Sequence, residues 1–160
     1  MVSVAKRVFI AGEFAAVPEE AREPLHSFYE RLADLCRHSG LGVYAPHFTS
    51  DPAKHPALTA TQRHLLTEQR ITSCQLLIAY LGRPSCTVGG AVQLARRTRI
   101  PVITLHENNL PPERAVSDYT LGSPTVVKSI IEASLEKLLS SLREELPELL
   151  RLHVWGPSPQ

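Results

Sequence analysis

The sequence predicts an α/β fold: a doubly wound parallel sheet of about five strands in the order 2-1-3-4-5, flanked by helices and closed by a long C-terminal helix. Two observations at the centre of the chain carry this. Leu76-Leu77-Ile78-Ala79-Tyr80 and Pro101-Val102-Ile103-Thr104-Leu105 are short, unbroken apolar runs. Between them lie a small-residue loop, Pro84 to Gly90, and a helix-compatible stretch, Ala91 to Arg97. Strands that read as continuous apolar runs around one helix are those of a parallel βαβ unit, buried on both faces. The third observation is that the rest of the chain repeats this alternation with short links.

Arg7-Val8-Phe9-Ile10-Ala11 is strand one, within a Val2 to Gly12 stretch that has the features of a strand and none of an export signal. Gly12 ends it, where a turn or a close backbone approach is needed. Pro18-Glu19-Glu20 opens a helix with proline and acids at the favoured end. Leu25, Phe28, Leu32, Leu35 and Cys36 form its apolar face, and Gly40 stops it. Gly42 to Ala45 is strand two, closed by Pro46-His47, and Phe48 to Pro56 is a loop. A helix over Thr61 to Ser73 carries Leu65, Leu66 and Ile71. After strand four, His106 to Pro112 is a loop. Residues Thr125 to Ile131 fit a short strand or a helix start equally. Ser134 is the N-cap of a last helix bearing Leu135, Leu138, Leu139 and Leu142, which Pro147 kinks or divides. Residues 1–155 read as one domain and 156–160 as a disordered tail.

Bulk composition narrows the function. With 17 basic against 16 acidic residues the formal charge is +1, so there is no electrostatic case for nucleic acid as a partner. No apolar run approaches membrane-spanning length. The three cysteines, Cys36, Cys74 and Cys86, are odd in number and lack metal spacing. A reduced, cytoplasmic protein with no metal site and no cofactor is the simplest expectation.

In the flavodoxin-like (Rossmann-like) strand order, ligands bind beyond the carboxyl ends of the strands, at the switch point between strands one and three. Gly12-Glu13 then faces the loop from Tyr80 to Gly90. That loop feeds a helix N-terminus, whose free N–H groups suit an anion. Ser85 can donate to a phosphate or a sugar hydroxyl, and the Gly89-Gly90 pair leaves backbone exposed. A tight strand-to-helix turn would need the same small residues. Cys86 has no cation or partnered histidine in view and reads as an inert small residue. Arg96-Arg97 with Arg99 reads as a solvated face that suits the helix C-terminus.

Several pieces together resemble a known family. They are Val8 to Phe14, Tyr29-Glu30-Arg31, Ala45-Pro46-His47, Ile71 to Ala79, Pro84-Ser85 with Val88-Gly89, and Ile100 to Ile103. In order and spacing the chain resembles the nucleoside 2-deoxyribosyltransferases and their nucleotide N-glycosidase relatives over its first two-thirds. The resemblance implies a nucleoside or nucleotide ligand and a homodimer or higher homo-oligomer. It also implies a glutamate nucleophile that attacks the anomeric carbon, as in a retaining glycosidase.

The catalytic positions depart from that pattern. The nucleophile falls on Ala91, an acid in the preceding helix on Thr67, an acid before strand three on Gln75, and a tyrosine on Phe9. Losing one member of a cooperating set already forfeits most of the rate. The expectation is a protein that binds a nucleoside or nucleotide but lacks the family's nucleophile, through Gly12, Glu13, Phe14, His47, Gln75, Tyr80, Ser85, Gly89, Gly90 and Ala91. One alternative is an active N-glycosidase or transferase with a relocated carboxylate, Glu13 or Glu107; both read first as solvated loop carboxylates, and Glu13, beside the switch point, is the sharper candidate. His47 matches the family motif, yet it and His106 fit ordinary structural roles. Another alternative is a non-catalytic interaction module with an occluded pocket. Arg114 to Tyr119 occupies the region where family members reach into a neighbouring subunit's site.

Overall fold

The computed structural model describes residues 5–49, 54 and 57–156. Its five strands are β1 (Arg7–Ala11), β2 (Gly42–Tyr44), β3 (Leu76–Tyr80), β4 (Val102–Glu107) and β5 (Val126–Glu132). They form one sheet in the order β2-β1-β3-β4-β5. Every pair is parallel, with Val8 opposite Val43 and Leu76, and Leu77 opposite Val102. The helices are α1 (Glu19–His38), α2 (Pro46–Thr49), α3 (Ala60–Thr72), α4 (Cys86–Thr98), α5 (Asp118–Leu121) and α6 (Leu135–Leu150). No helix among the described residues is long and apolar enough to cross a membrane.

The central strands β1, β3 and β4 are largely apolar because both of their faces are covered. Alternate residues point to opposite sides. Ile10, Leu76, Ile78, Tyr80, Ile103 and Leu105 face α1 and α6, where they meet Phe28, Leu32, Leu138 and Leu142. Phe9, Ala11, Leu77, Ala79 and Val102 face α3 and α4, where they meet Ile71, Val88, Ala91 and Val92. Gly40, at φ 85°, ends α1 in the left-handed region as a C′ glycine.

Several boundaries differ from the sequence reading. Pro46 to Thr49, read as strand closure and loop, is one helical turn. Phe48 N and Thr49 N both reach back to Ala45 O (3.0 and 2.9 Å), and proline sits at a first-turn position where no N–H is needed. The remainder of the Phe48 to Pro56 loop lies largely outside the described residues. α3 begins at Ala60, because Thr59 and Gln62 form a reciprocal capping box. α4 begins at Cys86, five residues before the expected start. Ser85, at φ −155°, caps it by accepting from Val88 N (3.3 Å), so Gly89 and Gly90 are helical rather than loop.

β4 continues to Glu107, which puts His106 and Glu107 on a strand. The chain then makes a 3₁₀ turn at Pro112–Arg114 before α5. Residues 126–132 resolve as a strand, with a register shift between Val102 and Ile103. α6 passes through Pro147 and runs into a π-helical turn, Arg151–Trp155, so the proline neither stops nor divides it. Of the expected tail, residues 157–160 lie outside the described residues.

Candidate functional site

The carboxyl ends of β1 and β3 are adjacent, and each is followed closely by a glycine. A Cβ on Gly12 would collide with the Tyr29 hydroxyl. One on Gly82 would collide with the Tyr80 hydroxyl and the Glu107 carboxylate. Both glycines therefore make room for tyrosine hydroxyls that rise from the α1 side of the sheet. Tyr29 donates to Glu13 O (2.9 Å). Tyr80 donates to both Glu107 carboxylate oxygens (3.0 Å each). Burial raises the pKa of both phenols, with the Glu107 charge adding to the effect at Tyr80. Arg114 completes the group: its Nε donates to Gly82 O (2.6 Å), and its Nη2 lies 3.7 Å from Glu107 Oε1.

These contacts occupy both carboxylates considered as relocated nucleophiles. Glu13 Oε1 accepts from Phe14 N and Ala16 N (3.1 Å each), so it caps its own turn. Glu107 is held by Tyr80 and Arg114, with its side chain 13% exposed. Phe14 is buried against the Tyr29 ring, edge-on with centroids 6.3 Å apart. It also meets His26, which lies edge-on to His47 at 5.1 Å. His47 is buried, and among the described residues its Nδ1 has no hydrogen-bond partner. Burial, then the His26 charge, pulls its pKa down to about 4.

On the other face, α4 begins at the same edge. Its first turns separate two cavities. One, of about 260 Å³, lies between α3 and α4 and is lined by Thr67, Glu68, Gly90 and Ala91 among others. The other, of about 150 Å³, is lined by Ser85, Val88 and Gly89 together with Arg83, Val116 and Ser117. So the segment from Ala115 to Ser117 packs over its own chain's loop. A Cβ on Gly89 or Gly90 would meet nothing within 4 Å, and neither has a positive φ. Neither the backbone nor the packing demands glycine there. That removes the tight-turn explanation and leaves bare helix backbone between two hollows.

The structure thus gathers Gly12, Glu13, Phe14 and Tyr80 around the switch point, with His47 joined through His26. Ser85, Gly89, Gly90 and Ala91 line up along the start of α4. Tyr80 points to the opposite face of the sheet from Ala91. Thr67 and Ala91, where the resemblance expects acids, share one cavity, and Phe9 belongs to the core beneath Ala91. Gln75 stands apart from all of these. It precedes β3 at its amino end, roughly 17 Å of strand from Tyr80. There its Oε1 accepts from Arg7 N (2.8 Å) and fixes the start of the β1–β3 pairing.

Sequence reasoning assigned no role to Gly82 or Glu68, treated Arg97 as solvated surface, and placed Arg114 only within the segment where family members reach into a neighbouring subunit's site. The glycine two places after an apolar strand was a signal for Gly82. The position next to Thr67 was one for Glu68. Among the described residues, no group of three or more His, Cys, Asp or Glu side chains is gathered for a metal ion.

A parallel 2-1-3-4-5 sheet covered by helices on both faces is a doubly wound α/β fold. Solved structures share this fold. A CMP N-glycosidase, BcmB, from Clostridium botulinum is similar over 86% of this chain and 97% of its own, with TM-score 0.64 and 20% identity. The solution structure of BlsM is similar over 98% of both chains, with TM-score 0.65 and 18% identity. A 2-deoxyribosyltransferase from Leishmania mexicana covers 87% of this chain and 97% of its own, with TM-score 0.55 and 16% identity. At these identities the likeness is one of fold. No family model and no curated protein matches the chain by sequence.

Proposed function

We propose that the protein is a nucleoside 2-deoxyribosyltransferase-like binder of a nucleoside or nucleotide that lacks the family's covalent chemistry. The observation that carries this is the lining of the α3–α4 cavity, where the two positions at which the resemblance expects acids are Thr67 and Ala91, neither of them ionisable. A retaining mechanism needs a carboxylate to form the glycosyl-enzyme, and alanine cannot supply one. The fold shared with a CMP N-glycosidase and a 2-deoxyribosyltransferase supports the ligand class. Ser85 and the first turn of α4 offer donors for a phosphate or sugar hydroxyl, and buried His47, linked to Phe14 through His26, is a further polar group. The contacts already made by Glu13 and Glu107 weigh against their use as replacement nucleophiles.

The same reading places the protein in the cytoplasm, where Cys36, Cys74 and Cys86 stay as thiols; all three are free. It also makes the protein a homo-oligomer. Exposed Leu152 and Trp155 after α6, and Ile131 on β5, supply apolar surface for self-association. Light scattering on the purified chain is expected to give at least twice the mass of 17.7 kDa.

The decisive experiment pairs two measurements on one preparation. Nucleosides and their 5′-monophosphates are screened for a saturable rise in melting temperature, which selective binding to the folded state produces. The same compounds are then followed by chromatography for released base. Binding without base release is expected. Release at catalytic turnover would overturn the proposal, and release that Glu13→Ala abolishes would transfer the nucleophile's role to Glu13.

A further inference from the structure

Residues 108–117 leave the sheet after β4 and lead into α5. They are exposed or half-buried, whereas His106 before them and Thr120 after them are buried. Ala115, Val116 and Ser117 form one wall of the hollow beside Ser85, and the loop and first turn from Arg83 to Gly89 form the other. Two contacts hold the walls together. Val116 packs against the α3–α4 layer. Among the described residues, one hydrogen bond links the segment to the loop after β3: Arg114 Nε donates to Gly82 O (2.6 Å). The other hydrogen bonds of residues 109–117 stay inside the segment or pass into α5, as from Arg114 N to Pro111 O and from Thr120 N to Ser117 O.

The local sequence builds this contact. Pro111 and Pro112 fix φ ahead of the 3₁₀ turn, which lowers the entropy lost when Arg114 is ordered. Gly82 lacks the Cβ that would strike the Tyr80 hydroxyl and the Glu107 carboxylate. Its carbonyl and that carboxylate therefore lie within reach of one guanidinium, with Nη2 3.7 Å from Glu107 Oε1. Tyr80 holds the carboxylate in place (3.0 Å). An ionised donor makes the bond to Gly82 O stronger than a neutral one would. With the segment held down, the hollow measures about 150 Å³. Small-molecule sites run to roughly 300–1,000 Å³. The closed hollow takes one phosphate or one sugar ring at most, and anything larger reaches Ser85 only when the segment lifts. We propose that residues 108–117 are a lid over the Ser85 hollow and that Arg114, bound to Gly82 and Glu107, is the positioning residue that latches it. The latch sets how fast a ligand enters and leaves, and each protomer closes the hollow with its own segment. The kinetic consequence rests on the nucleotide-binding reading of Ser85; the latch itself rests on the contacts of Arg114.

Two measurements on the full chain test it. The first is hydrogen exchange without ligand. Arg114→Ala is expected to speed amide exchange over residues 113–122 about tenfold or more, the scale of one charge-assisted hydrogen bond, and to leave β3 and the interior of α4 unchanged. The second is surface plasmon resonance with adenosine, cytidine and their 5′-monophosphates over the immobilised chain. Arg114→Ala is expected to raise the association and dissociation rates together. Arg114→Lys, which keeps the charge without the planar fork, is expected to fall between it and the wild type. A residue that only supports the fold would lower stability or affinity without speeding association. Arg143→Ala is the control and is expected to keep wild-type rates, because Arg143 lines a separate groove between α1 and α6. If Arg114→Ala does not fold, Arg114→Lys and Glu107→Gln carry the same expectations in smaller measure. Unchanged exchange over residues 113–122, or association no faster than wild type in a chain that binds, would overturn the latch. Faster exchange in a chain that binds none of the four compounds would keep the latch and remove the nucleotide-binding reading.

Discussion

His47 and the glycines show how differently single residues of one type can be constrained. The folded pKa of His47 is lowered to about 4, while an unfolded histidine titrates near 6.5. Between those values the unfolded chain holds the extra proton, so stability falls as pH drops from about 6.5 towards 4. The full effect is at most on the order of 3 kcal/mol. Thermal melts between pH 7 and 4.5 are expected to show this loss, with a shallower slope in His47→Gln. The glycines divide sharply. Gly12→Ala and Gly82→Ala force a methyl group into Tyr29 and Tyr80 respectively and are expected to destabilise. Gly89→Ala and Gly90→Ala meet open space within a helix, so each is expected to stabilise by about 0.5–1 kcal/mol in urea titrations. If either change at the helix start instead lowers stability, that backbone has a packing role in the free protein.

At the scale of elements, α4 is set by its cap. Ser85→Ala removes the side-chain acceptor for Val88 N and is expected to cost about 1 kcal/mol, measured by denaturant unfolding. β1, β3 and β4 were legible because burial on both faces leaves a run of apolar residues, as in Leu76 to Tyr80, whereas β5, only partly buried and carrying Lys128 and Ser129, left strand and helix start both open. α1 and α6 were legible from their apolar stripes and from Gly40 and Ser134. The start of α4 was not, because Gly89-Gly90 weakens helix propensity and the small run from Pro84 reads as a turn. α2 and α5, each a single turn, depend on local capping and leave no periodic trace. The candidate site was partly legible. Ser85, Gly89 and Ala91 could be placed from spacing, and so could the glycine after β1. Gln75 entered the expected site through the resemblance alone, although it precedes strand three and ligands in this fold meet the carboxyl ends of the strands. Glu68 and Arg97 could not be placed, because only packing of α3 against α4 brings them to one cavity.

The molecule as a whole is two apolar layers separated by one sheet, and its buried thiols sample both. Cys36 belongs to the α1–α6 side and Cys74 to the α3–α4 side, while Cys86 is exposed at the start of α4. Burial pushes the Cys36 thiol up to about 12 and that of Cys74 up to about 11. Since the thiolate is the reactive form, a maleimide or disulfide reagent is expected to label one thiol in the native protein and three in denaturant. Comparing the rates at Cys36 and Cys74 would show whether the layers open together. Rapid native labelling of Cys74 alone would mean that the α3–α4 layer opens by itself. The partition between the two hollows at the head of α4 has its own implication for signalling. A wall without side chains at Gly89 and Gly90 has no rotamers to relay occupancy from one chamber to the other. A message crossing at those two positions travels as a displacement of the peptide units themselves, which amide exchange registers and alanine scanning passes by, whereas one crossing at Thr87 or Val88 has a side chain to move.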